Sequence, residues 1–273
     1  MAFPYKKILV IGATSGIGEA LSARFVENGI FVIVTGRRKE RLDSFVEKHG
    51  KDKAAAEVFD IAQLDKIPHF AREVTAAHPD IDAVLVNAGM QRGFDFSKPE
   101  TVDLADVDME VKTNYSAYLH ITHAFLPFLQ NASKSRDVAL MYMSSGLALL
   151  PMIHIPGYCA TKAALHHFIL VLREQLKGPF PRLKIIEIFP PAVQTELHDW
   201  FPDLEVGRGW GMPLDQFTDI AWSKLSYGEE QPNIGLAEMA FNRFESARQA
   251  AFQQLAEKSR SEPGKDSSQP GSS

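Results

Sequence analysis

Two side chains that could move a proton lie close together in the segment GYCATKAAL, residues 157–165. Tyr158 and Lys162 are four residues apart, so a helix places them one turn apart on the same face. A free tyrosine has a pKa of about 10, which is too high for a useful base near neutrality. A cation about 4 Å away, at an effective dielectric of about 20, attracts the phenolate by roughly 4 kcal/mol. Since one pKa unit corresponds to about 1.36 kcal/mol, the lysine could lower the tyrosine pKa by up to about three units.

The alternative for this pair is an ordinary exposed helix face, where a tyrosine and a lysine at this spacing are common. Cys159 lies between them and is the only cysteine, so no intramolecular disulfide can form. This suits a reducing compartment and predicts a cytoplasmic protein. No second cysteine or regular histidine spacing indicates a metal site, and we expect none. We expect packing for Cys159 and positions on a helix surface or at an interface for His120, His123, His166 and His167.

A glycine-rich turn follows the first apolar run of the chain. The segment KKILVIG (6–12) continues into GATSGIG (12–18), which opens an amphipathic stretch. Glycines let the backbone approach a pyrophosphate, and the free N–H groups at a helix start bind its charge. Such a turn between the first strand and the first helix of an alternating chain predicts a dinucleotide site. The predicted cofactor-binding residues here are Gly12, Thr14, Ser15, Gly16, Ile17 and Gly18.

The end of the second apolar run carries two arginines. A site for NAD places an Asp or Glu about twenty residues after the glycine turn, where it binds the ribose 2′-hydroxyl. Here Gly36 takes that place, and Arg37 and Arg38 follow. An arginine fork can hold a 2′-phosphate, so the pattern favours NADP(H); the alternative is a solvated basic helix start. Asp60 ends the third apolar run, where it could accept from the adenine amino group, cap the segment that starts at Ile61, or do both.

Short apolar runs alternate with amphipathic segments along the chain. The predicted strands are rich in β-branched residues and lie at 6–12, 31–36, 54–60, 81–89, 137–145 and 182–190. Predicted helices separate them at 16–29, 39–50, 62–77, 103–129 and 157–177. Strands that are apolar on both faces and alternate with helices indicate a parallel sheet covered on both sides. We therefore predict an α/β fold with a Rossmann-like, doubly wound parallel sheet in a single domain.

Composition and charge exclude several classes of function. The 273 residues carry a net charge of −5, which gives no basic footprint for nucleic acid or an anionic membrane. The stretch 138–161 contains no charged residue, but serines, prolines and glycines interrupt it. It is better explained as a buried strand, a loop and a helix start than as a spanning helix. The first residues lack the long apolar region of a signal peptide, so we expect a soluble protein with no membrane partner.

Three motifs together resemble the short-chain dehydrogenase/reductase family. They are GxxxGxG in the glycine turn, NAG at 87–89 after the fourth predicted strand, and YxxxK preceded by Ser145. The resemblance runs from about residue 6 to residue 196, and the glycine spacing is similar to that of the compact, single-domain oxidoreductase branch. The sequence departs from the family pattern at Pro191, where a glycine is usual. Proline fixes φ and removes an N–H group near the expected nicotinamide.

The resemblance implies a role for each matching residue. The implied catalytic residues are Ser145, Tyr158, Lys162 and Asn114. Ser145 would polarise a carbonyl, Tyr158 would act as acid and base, and Asn114 would hold a water in a proton relay. Lys162 would also bind the nicotinamide ribose, and the positive nicotinamide ring would lower the tyrosine pKa further. The remaining matches are Asn87, Ala88 and Gly89 beside the adenosine ribose, and Val193 and Thr195 at the nicotinamide carboxamide.

The region after the sixth predicted strand is interpreted as a lid. All three tryptophans, Trp200, Trp210 and Trp222, fall within 196–235. Loops after the carboxyl ends of strands border the ligand crevice in this kind of sheet, so an aromatic lid indicates an apolar or aromatic substrate. The alternative is that these rings only pack the segment onto the domain. The domain is predicted to cover residues 1–257, and the polar stretch 258–273 is predicted to be disordered.

Two functions remain open from the sequence. The first is an NADP(H)-dependent oxidoreductase that transfers a hydride between the cofactor and a small carbonyl or alcohol. The second is an NADP(H)-binding scaffold or redox sensor with little turnover, which Pro191 and the polar tail favour. The presence of all four implied catalytic residues favours the enzyme. The family resemblance also implies a homodimer or homotetramer formed through the helices near 115–130 and 163–177.

Overall fold

A computed structural model describes residues 3–261 of the chain and shows a six-stranded sheet. The strands are β1 Lys7–Ile11, β2 Phe31–Gly36, β3 Ala54–Val58, β4 Ala83–Val86, β5 Val138–Met143 and β6 Leu183–Ile188. Their order is β3-β2-β1-β4-β5-β6, and every neighbouring pair is parallel. The direction of winding reverses between β1 and β4, and ligands bind beyond the carboxyl ends of the strands at such a point.

Alternate side chains of each strand enter two separate hydrophobic cores. In β1, Leu9 and Ile11 point into one core, while Ile8 and Val10 point into the other. All four side chains are buried. Because both faces of the sheet are covered, its strands are near-continuous apolar runs in the sequence. The predicted α/β fold with a doubly wound parallel sheet is confirmed.

Helices cover both faces of the sheet. In the described part of the chain they are α1 Gly16–Glu27, α2 Lys39–His49, α3 Ile67–Ala77, α4 Leu104–Val111, α5 Ala117–Ala132, α6 Pro156–Lys177, α7 Leu204–Gly209, α8 Leu214–Ser226, α9 Leu236–Ala240 and α10 Ser246–Ser261. Helices α3, α5 and α6 pack on the core that contains Leu9, and α1, α2 and α8 pack on the core that contains Ile8. A π-helical segment, Lys112–Ser116, joins α4 to α5 without a loop.

The predicted lid at 196–235 is divided in the structure. Its second half contains α8, whose Phe217, Ala221 and Leu225 are buried in the core beside α1. Trp222 packs on Phe25, with ring centroids 6.0 Å apart. Helix α8 is therefore part of the layer that covers the sheet, and the lid stays a prediction only for the residues before α8. Apolar aromatic residues pack equally well on a ligand or on a helix, so their presence alone could not decide between the two.

Two further helices, which the sequence pattern did not predict, follow α8. Helix α9 packs against the turn after β5, and α10 continues to Ser261. Residues 258–261, predicted to begin a disordered tail, are the last turn of α10, and this part of the prediction is wrong. Their polar composition is that of an exposed helix end, where Arg260 Nη2 donates to the Glu174 carbonyl of α6 at 3.1 Å. The remainder of the predicted tail, 262–273, lies outside the described residues.

The helix histidines are distributed differently from the expectation. His120, His123 and His167 are exposed, as expected. His166 is fully buried, however, between the carboxylates of Glu187 and Glu245 at 2.9 Å each. Sequence periodicity alone could not place it, because its buried contacts come from β6 and from the π-helical segment Phe241–Glu245, which are far away in the sequence. No helix within residues 3–261 is long and apolar enough to cross a membrane.

Candidate active site

A cavity of about 650 Å³ opens at the carboxyl edge of the sheet. Residues at or just after the ends of all six strands line it, namely Ile11, Gly36, Phe59, Asn87, Ser144 and Pro190. Parallel strands end at one edge, so side chains that are far apart in the sequence meet here. All of the predicted site residues except Gly18 and Asn114 line this cavity, and those two contact residues that do.

The backbone of the glycine turn forms a cradle that has no room for side chains at Gly12 and Gly18. Gly12 has a φ of +93°, and a Cβ added there would lie 2.5 Å from the Ala88 nitrogen. A Cβ on Gly18 would lie 2.1 Å from the Gly12 carbonyl oxygen. Ser15 precedes α1 but makes no side-chain capping hydrogen bond, so the first N–H groups of α1 are left for an anion. The turn therefore fits the pyrophosphate of a dinucleotide.

The segment Asn87-Ala88-Gly89 fastens this turn to the end of β4. Asn87 Nδ2 donates to the Gly12 carbonyl at 2.7 Å. The Tyr118 hydroxyl donates to the Ala88 carbonyl at 2.9 Å. Gly89 lines the cavity directly after them. These contacts hold the floor of the cavity rigidly between β1 and β4.

Ser145, Tyr158 and Lys162 meet on one wall of the cavity. Ser145 follows β5, and its Oγ accepts a hydrogen bond from the Leu147 N–H at 3.1 Å. Tyr158 and Lys162 project from the first turns of α6 and are 6 % and 2 % exposed. Lys162 Nζ donates to the Met143 carbonyl at 2.8 Å and lies 5.6 Å from the centroid of the Tyr158 ring. The three side chains that the sequence motifs identified thus lie close together in the structure.

Burial controls the acid strength of both members of the pair. Burial raises the pKa of Tyr158, and a hydrogen bond with Ser145 only partly opposes this. Burial also lowers the pKa of Lys162 to about 7, with a smaller opposing effect from Glu187. The prediction of a net lowering of the Tyr158 pKa is therefore wrong in this arrangement, because burial raises it. Both groups lose their hydration, and the ammonium bonds to the Met143 carbonyl instead of the phenol oxygen.

Asn114 lies behind the cavity, in the π-helical segment. Its Oδ1 accepts from the Met90 N–H at 2.9 Å, and its Nδ2 donates to the Met90 carbonyl at 2.8 Å. Nδ2 also lies 3.3 Å from Thr161 Oγ1 on α6. The fully buried amide therefore links the loop after β4 to the helix that carries Tyr158 and Lys162. Single-turn π segments are frequent at functional sites, and the relay function of Asn114 stays a prediction.

The two predicted arginines take different positions. Arg37 is exposed and lines the outer part of the cavity. Arg38 is folded over the glycine turn, where its Nη2 donates to Thr14 Oγ1 at 2.9 Å and to Ser15 Oγ at 2.6 Å. Its Nη1 forms an ion pair with Glu196 at 2.7 Å. The cluster of arginine and hydroxyl groups fits an additional phosphate next to the pyrophosphate cradle.

Asp60 lines the same end of the cavity beside Phe59 and Ile61. Its Oδ1 accepts from the Ala62 N–H at 3.0 Å, which closes a turn after β3. The α-helix itself starts only at Ile67, after a short 3₁₀ segment, so Asp60 stabilises a turn and is not the cap of a helix at Ile61. The carboxylate still borders the space that an adenine would occupy.

The other end of the cavity is formed by the loop after β6. Val193 and Thr195 line it, and Thr195 Oγ1 accepts from the Leu197 N–H at 3.4 Å. Pro191 also lines it, and its side chain packs against Gly235, where the nearest approach to an added Cβ would be 3.3 Å. The Pro190 carbonyl accepts from the Gly146 N–H at 2.9 Å. The proline is thus accommodated by close packing, and the loop remains tied to the turn that follows Ser145.

The wall opposite the glycine turn is mostly apolar. The loop after β5 contributes Leu147, Leu150, Pro151 and Met152, and α9 contributes Leu236, Ala237, Met239 and Ala240. Of the three tryptophans, only Trp210 lines the cavity. Its ring packs edge-to-face against His198 and at a tilt against Phe201, with centroid distances of 4.9 and 5.6 Å. The contribution of α9 was not predicted, because its short sequence gives no periodic signal.

Several polar side chains at the site carried no recognisable motif. Gln91 Oε1 accepts from Trp200 Nε1 at 2.7 Å and contacts His198 Nδ1 at 3.1 Å. Glu110 is buried beneath the start of α6, and its Oε1 accepts from the Arg92 N–H at 2.6 Å. Burial raises the pKa of Glu110 to about 7. Among residues 3–261, no three His, Cys, Asp or Glu side chains are grouped so that they could hold a metal ion.

Comparison with known proteins agrees with this architecture. The family model described as short chain dehydrogenase matches residues 6–203. The chain is 32% identical over 228 residues to the uncharacterized oxidoreductase DltE of Bacillus subtilis (strain 168), and the match covers 82% of this chain and 86% of that protein. It is 33% identical over 180 residues to the NADP-dependent 3-hydroxy acid dehydrogenase YdfG of Salmonella typhi, which covers 66% and 70% of the two chains.

A solved structure shows the same fold. It is a short-chain dehydrogenase from Burkholderia cenocepacia J2315 in complex with NADP, with a TM-score of 0.74 and 23% identity. The superposition covers 93% of this chain and 99% of that one. The chain therefore belongs to the short-chain dehydrogenase/reductase family of oxidoreductases.

Proposed function

We propose that the protein is an NADP(H)-dependent oxidoreductase that interconverts a carbonyl and an alcohol on an apolar or aromatic small molecule. The observation that carries the proposal is one cavity that contains Ser145, Tyr158 and Lys162 together with the glycine turn. A protein that only bound the dinucleotide would have no need for three buried polar groups at the far end of the same cavity. Their burial without solvent is costly, which favours a chemical role.

The arginines support NADP(H) as the cofactor. No acid ends β2, where an NAD site would place one for the ribose 2′-hydroxyl. Arg38 and the Thr14 and Ser15 hydroxyls lie there instead, and Arg37 is close by. These are donors that a 2′-phosphate can use. The relative YdfG is NADP-dependent by name, and the Burkholderia cenocepacia structure contains NADP, which agrees with this proposal.

The side chains divide the chemistry between them. When bound, the nicotinamide supplies a hydride to the carbonyl carbon or accepts one from the alcohol carbon. Ser145 donates a hydrogen bond to the carbonyl oxygen; its Oγ already accepts from Leu147, so the hydroxyl proton is available. Tyr158 gives its phenolic proton to that oxygen during reduction and removes it during oxidation. Protonated Lys162 stabilises the phenolate that remains.

The acid strengths of the pair suit reduction. Because burial raises the pKa of Tyr158, the phenol is held in its protonated form and is ready to act as the acid. The pKa of Lys162, lowered to about 7, leaves the ammonium populated in neutral and slightly acidic solution. Val193 and Thr195 would hold the nicotinamide amide, while Asn114 positions the loop and helix around it.

The apolar wall supports an apolar or aromatic substrate. Leu150, Leu236 and Met239 line the cavity although they are 45%, 73% and 49% exposed. A bound apolar group would remove part of this surface from water, which is favourable by about 25 cal/mol per Å². The relative YdfG acts on 3-hydroxy acids by name. The test is therefore whether this chain turns over large apolar carbonyls faster than 3-hydroxy acids.

A carbonyl panel tests this proposal. The purified protein is mixed with NADPH or NADH and with aliphatic and aromatic aldehydes and ketones of increasing size, and loss of the reduced cofactor is followed. Oxidation of 3-hydroxy acids with NADP⁺ serves as the polar comparison. We expect NADPH to be preferred and bulky apolar carbonyls to be reduced fastest. Tight NADPH binding without turnover of any carbonyl would favour the scaffold or redox sensor instead.

We also propose a homodimer or homotetramer formed through α6, one of the two helices that the family resemblance implied, and through its neighbour α4 in place of the second, α5. Val171 on α6 is exposed, as are Leu104 and Val111 on α4. These two helices pack against each other, so their exposed apolar side chains form a surface that a second copy could cover. The mass in solution, measured by light scattering, tests this point.

A further inference from the structure

The carboxylate of Glu196 lies between two arginines at the adenosine end of the cavity. Its Oε2 accepts from Arg38 Nη1 at 2.7 Å, and its Oε1 accepts from Arg41 Nη1 at 2.8 Å. Arg38 and Arg41 come from the start of α2, whereas Glu196 directly follows Thr195 in the loop after β6. The two ion pairs therefore join opposite sides of the cavity mouth, and they do so at the place where the arginines would meet a phosphate.

Three further N–H groups of Arg38 donate to the glycine turn. Its Nε donates to Thr14 Oγ1 at 3.0 Å, and its Nη2 donates to Thr14 Oγ1 and to Ser15 Oγ. Arg41 Nη1 additionally donates to the Thr14 carbonyl at 3.1 Å. A phosphate that binds through the Nη1 groups of Arg38 and Arg41 now paired with Glu196 must therefore displace this carboxylate. Glu196 is the only anion among these acceptors in the described residues, and a carboxylate and a phosphate accept from arginine in the same manner.

We propose that Glu196 is an internal competitor for the 2′-phosphate of NADP(H), exchanged for that phosphate when the cofactor binds. This inference rests on the proposed NADP(H) function. The ion pair keeps Arg38 and Arg41 oriented toward the cavity and lowers the net affinity for the phosphate by the free energy of the pair that is broken. Glu196 thus sets how strongly the protein prefers NADP(H) over NAD(H).

The exchange also affects the lid. Glu196 begins the short 3₁₀ turn Glu196–His198, and Leu197 and His198 from this turn line the cavity. While Glu196 is paired, the turn is fastened to the start of α2. Displacement by a phosphate releases that attachment and leaves the turn free to adapt to a substrate.

The competition holds over the whole pH range of an ordinary assay. Burial alone would raise the pKa of Glu196, but the hydrogen bonds from Arg38 and Arg41 outweigh it and lower the pKa to about 2. The carboxylate is therefore ionised whenever the protein is assayed. All three side chains are partly exposed, so each ion pair contributes modestly and is weakened by salt.

Substitution of Glu196 by glutamine tests the proposal through binding alone. Dissociation constants are measured for NADPH and NADH, and for 2′,5′-ADP and 5′-AMP, which lack the nicotinamide. We expect Glu196→Gln to tighten NADPH and 2′,5′-ADP by about fivefold and to change NADH and 5′-AMP by less than about twofold. The control is Glu205→Gln, which removes an exposed charge from the neighbouring α7 without breaking an arginine contact.

The outcomes separate this inference from the proposed function. If wild-type protein binds 2′,5′-ADP no better than 5′-AMP, the NADP(H) assignment itself fails. If wild type prefers 2′,5′-ADP but Glu196→Gln leaves that preference unchanged or reduces it, Glu196 is no competitor and the inference is overturned. If Glu205→Gln tightens NADPH and 2′,5′-ADP as much as Glu196→Gln does, the effect comes only from the change in net charge. That result would also overturn the inference. Thermal unfolding of each variant verifies that the fold is intact.

Discussion

The ammonium group of Lys162 makes few contacts. Its Nζ donates to one carbonyl, that of Met143, and lies near the rings of Tyr118 and Tyr158. Burial lowers its pKa to about 7, so the ammonium and the amine coexist near neutrality. Only the ammonium can stabilise a phenolate, so the protonation of Lys162 controls how easily Tyr158 gives up its proton.

We therefore expect kcat/KM for carbonyl reduction to fall as the pH rises through about 7, when Lys162 loses its proton. A pH–rate profile measured with NADPH and a reactive carbonyl tests this. The matched control is Glu110→Gln, because the pKa of Glu110 is also raised to about 7. Lys162 is responsible if the variant keeps the profile. The assignment to Lys162 is contradicted if the wild-type profile is flat through neutrality. It is also contradicted if the profile of Glu110→Gln becomes flat.

The sequence predicted the site residues whose type and spacing are unusual. Tyr158, Lys162 and Ser145 were found in this way, and all three line the cavity. Glu196 and Arg41 were missed although they are in direct contact, because an ion pair between a loop and a distant helix leaves no local pattern. The pKa shifts of Tyr158 and Lys162 were also missed, since they depend on how completely the fold removes water from both groups.

At the scale of elements, the turn between β1 and α1 has almost no spare volume. Gly18 sits against the Gly12 carbonyl and the Asn87 side chain, which itself donates to that carbonyl. Any side chain at this position must push α1 away from β1 or break the contact with the end of β4. The position of the cradle is thus fixed by packing between three elements.

Gly18→Ala should destabilise the protein by about 1–3 kcal/mol and weaken dinucleotide binding. The added Cβ would lie 2.1 Å from the Gly12 oxygen and 2.5 Å from Asn87 Nδ2. Gly178→Ala is the control, because no heavy atom lies within 4 Å of a Cβ placed there and its φ is −79°. Chemical denaturation and NADPH titration of both variants provide the measurement. Equal stability of the two variants would show that the turn can relax.

The elements that could be predicted are those with clear periodicity. The six strands and α1, α2 and α6 were identified close to their observed bounds, because two-sided apolar strands and amphipathic helices give distinct patterns. The single helix predicted at 103–129 is instead α4, the π-helical segment and α5, and the helix predicted at 62–77 begins only at Ile67. After residue 196 the prediction was less complete. Helix α8 was taken as lid because its aromatic residues fit a ligand as well as they fit α1, and α9 is too short to show a period.

At the scale of the whole molecule, a buried charged cluster joins α6, β6 and the segment that leads to α10. His166 on α6 contacts Glu187 on β6 and Glu245 in the π-helical segment that leads to α10. Arg248 also pairs with Glu245. Burial lowers the pKa of His166, but the hydrogen bonds to both glutamates outweigh it and raise the pKa to about 9. The imidazolium therefore fastens the last helix to the sheet.

This cluster should make the stability depend on pH. The folded pKa of His166 lies above the unfolded value of about 6.5, so its stabilisation is complete below about pH 6.5. It is lost as the pH rises toward 9, and the full loss is about 3 kcal/mol. Urea unfolding across this range measures it. Because the lowered pKa of Lys162 gives a slope of opposite sign above about pH 7, the quantity to compare is the difference in unfolding free energy between the wild type and each variant. The difference between the wild type and His166→Gln should fall by about 3 kcal/mol across this range. The difference for His123→Gln, whose histidine is exposed, should stay constant. A constant difference between the wild type and His166→Gln would contradict the assignment.

The measurement that tests the central claim most directly compares Tyr158→Phe with Tyr227→Phe, whose ring is exposed and outside the cavity. NADPH binding and carbonyl reduction are measured on both variants and on the wild type. The account predicts that Tyr158→Phe binds NADPH nearly as tightly as the wild type but reduces carbonyls about 10²–10⁴ times more slowly. Tyr227→Phe should match the wild type in both. A Tyr158→Phe variant that retained wild-type rates would contradict the mechanism.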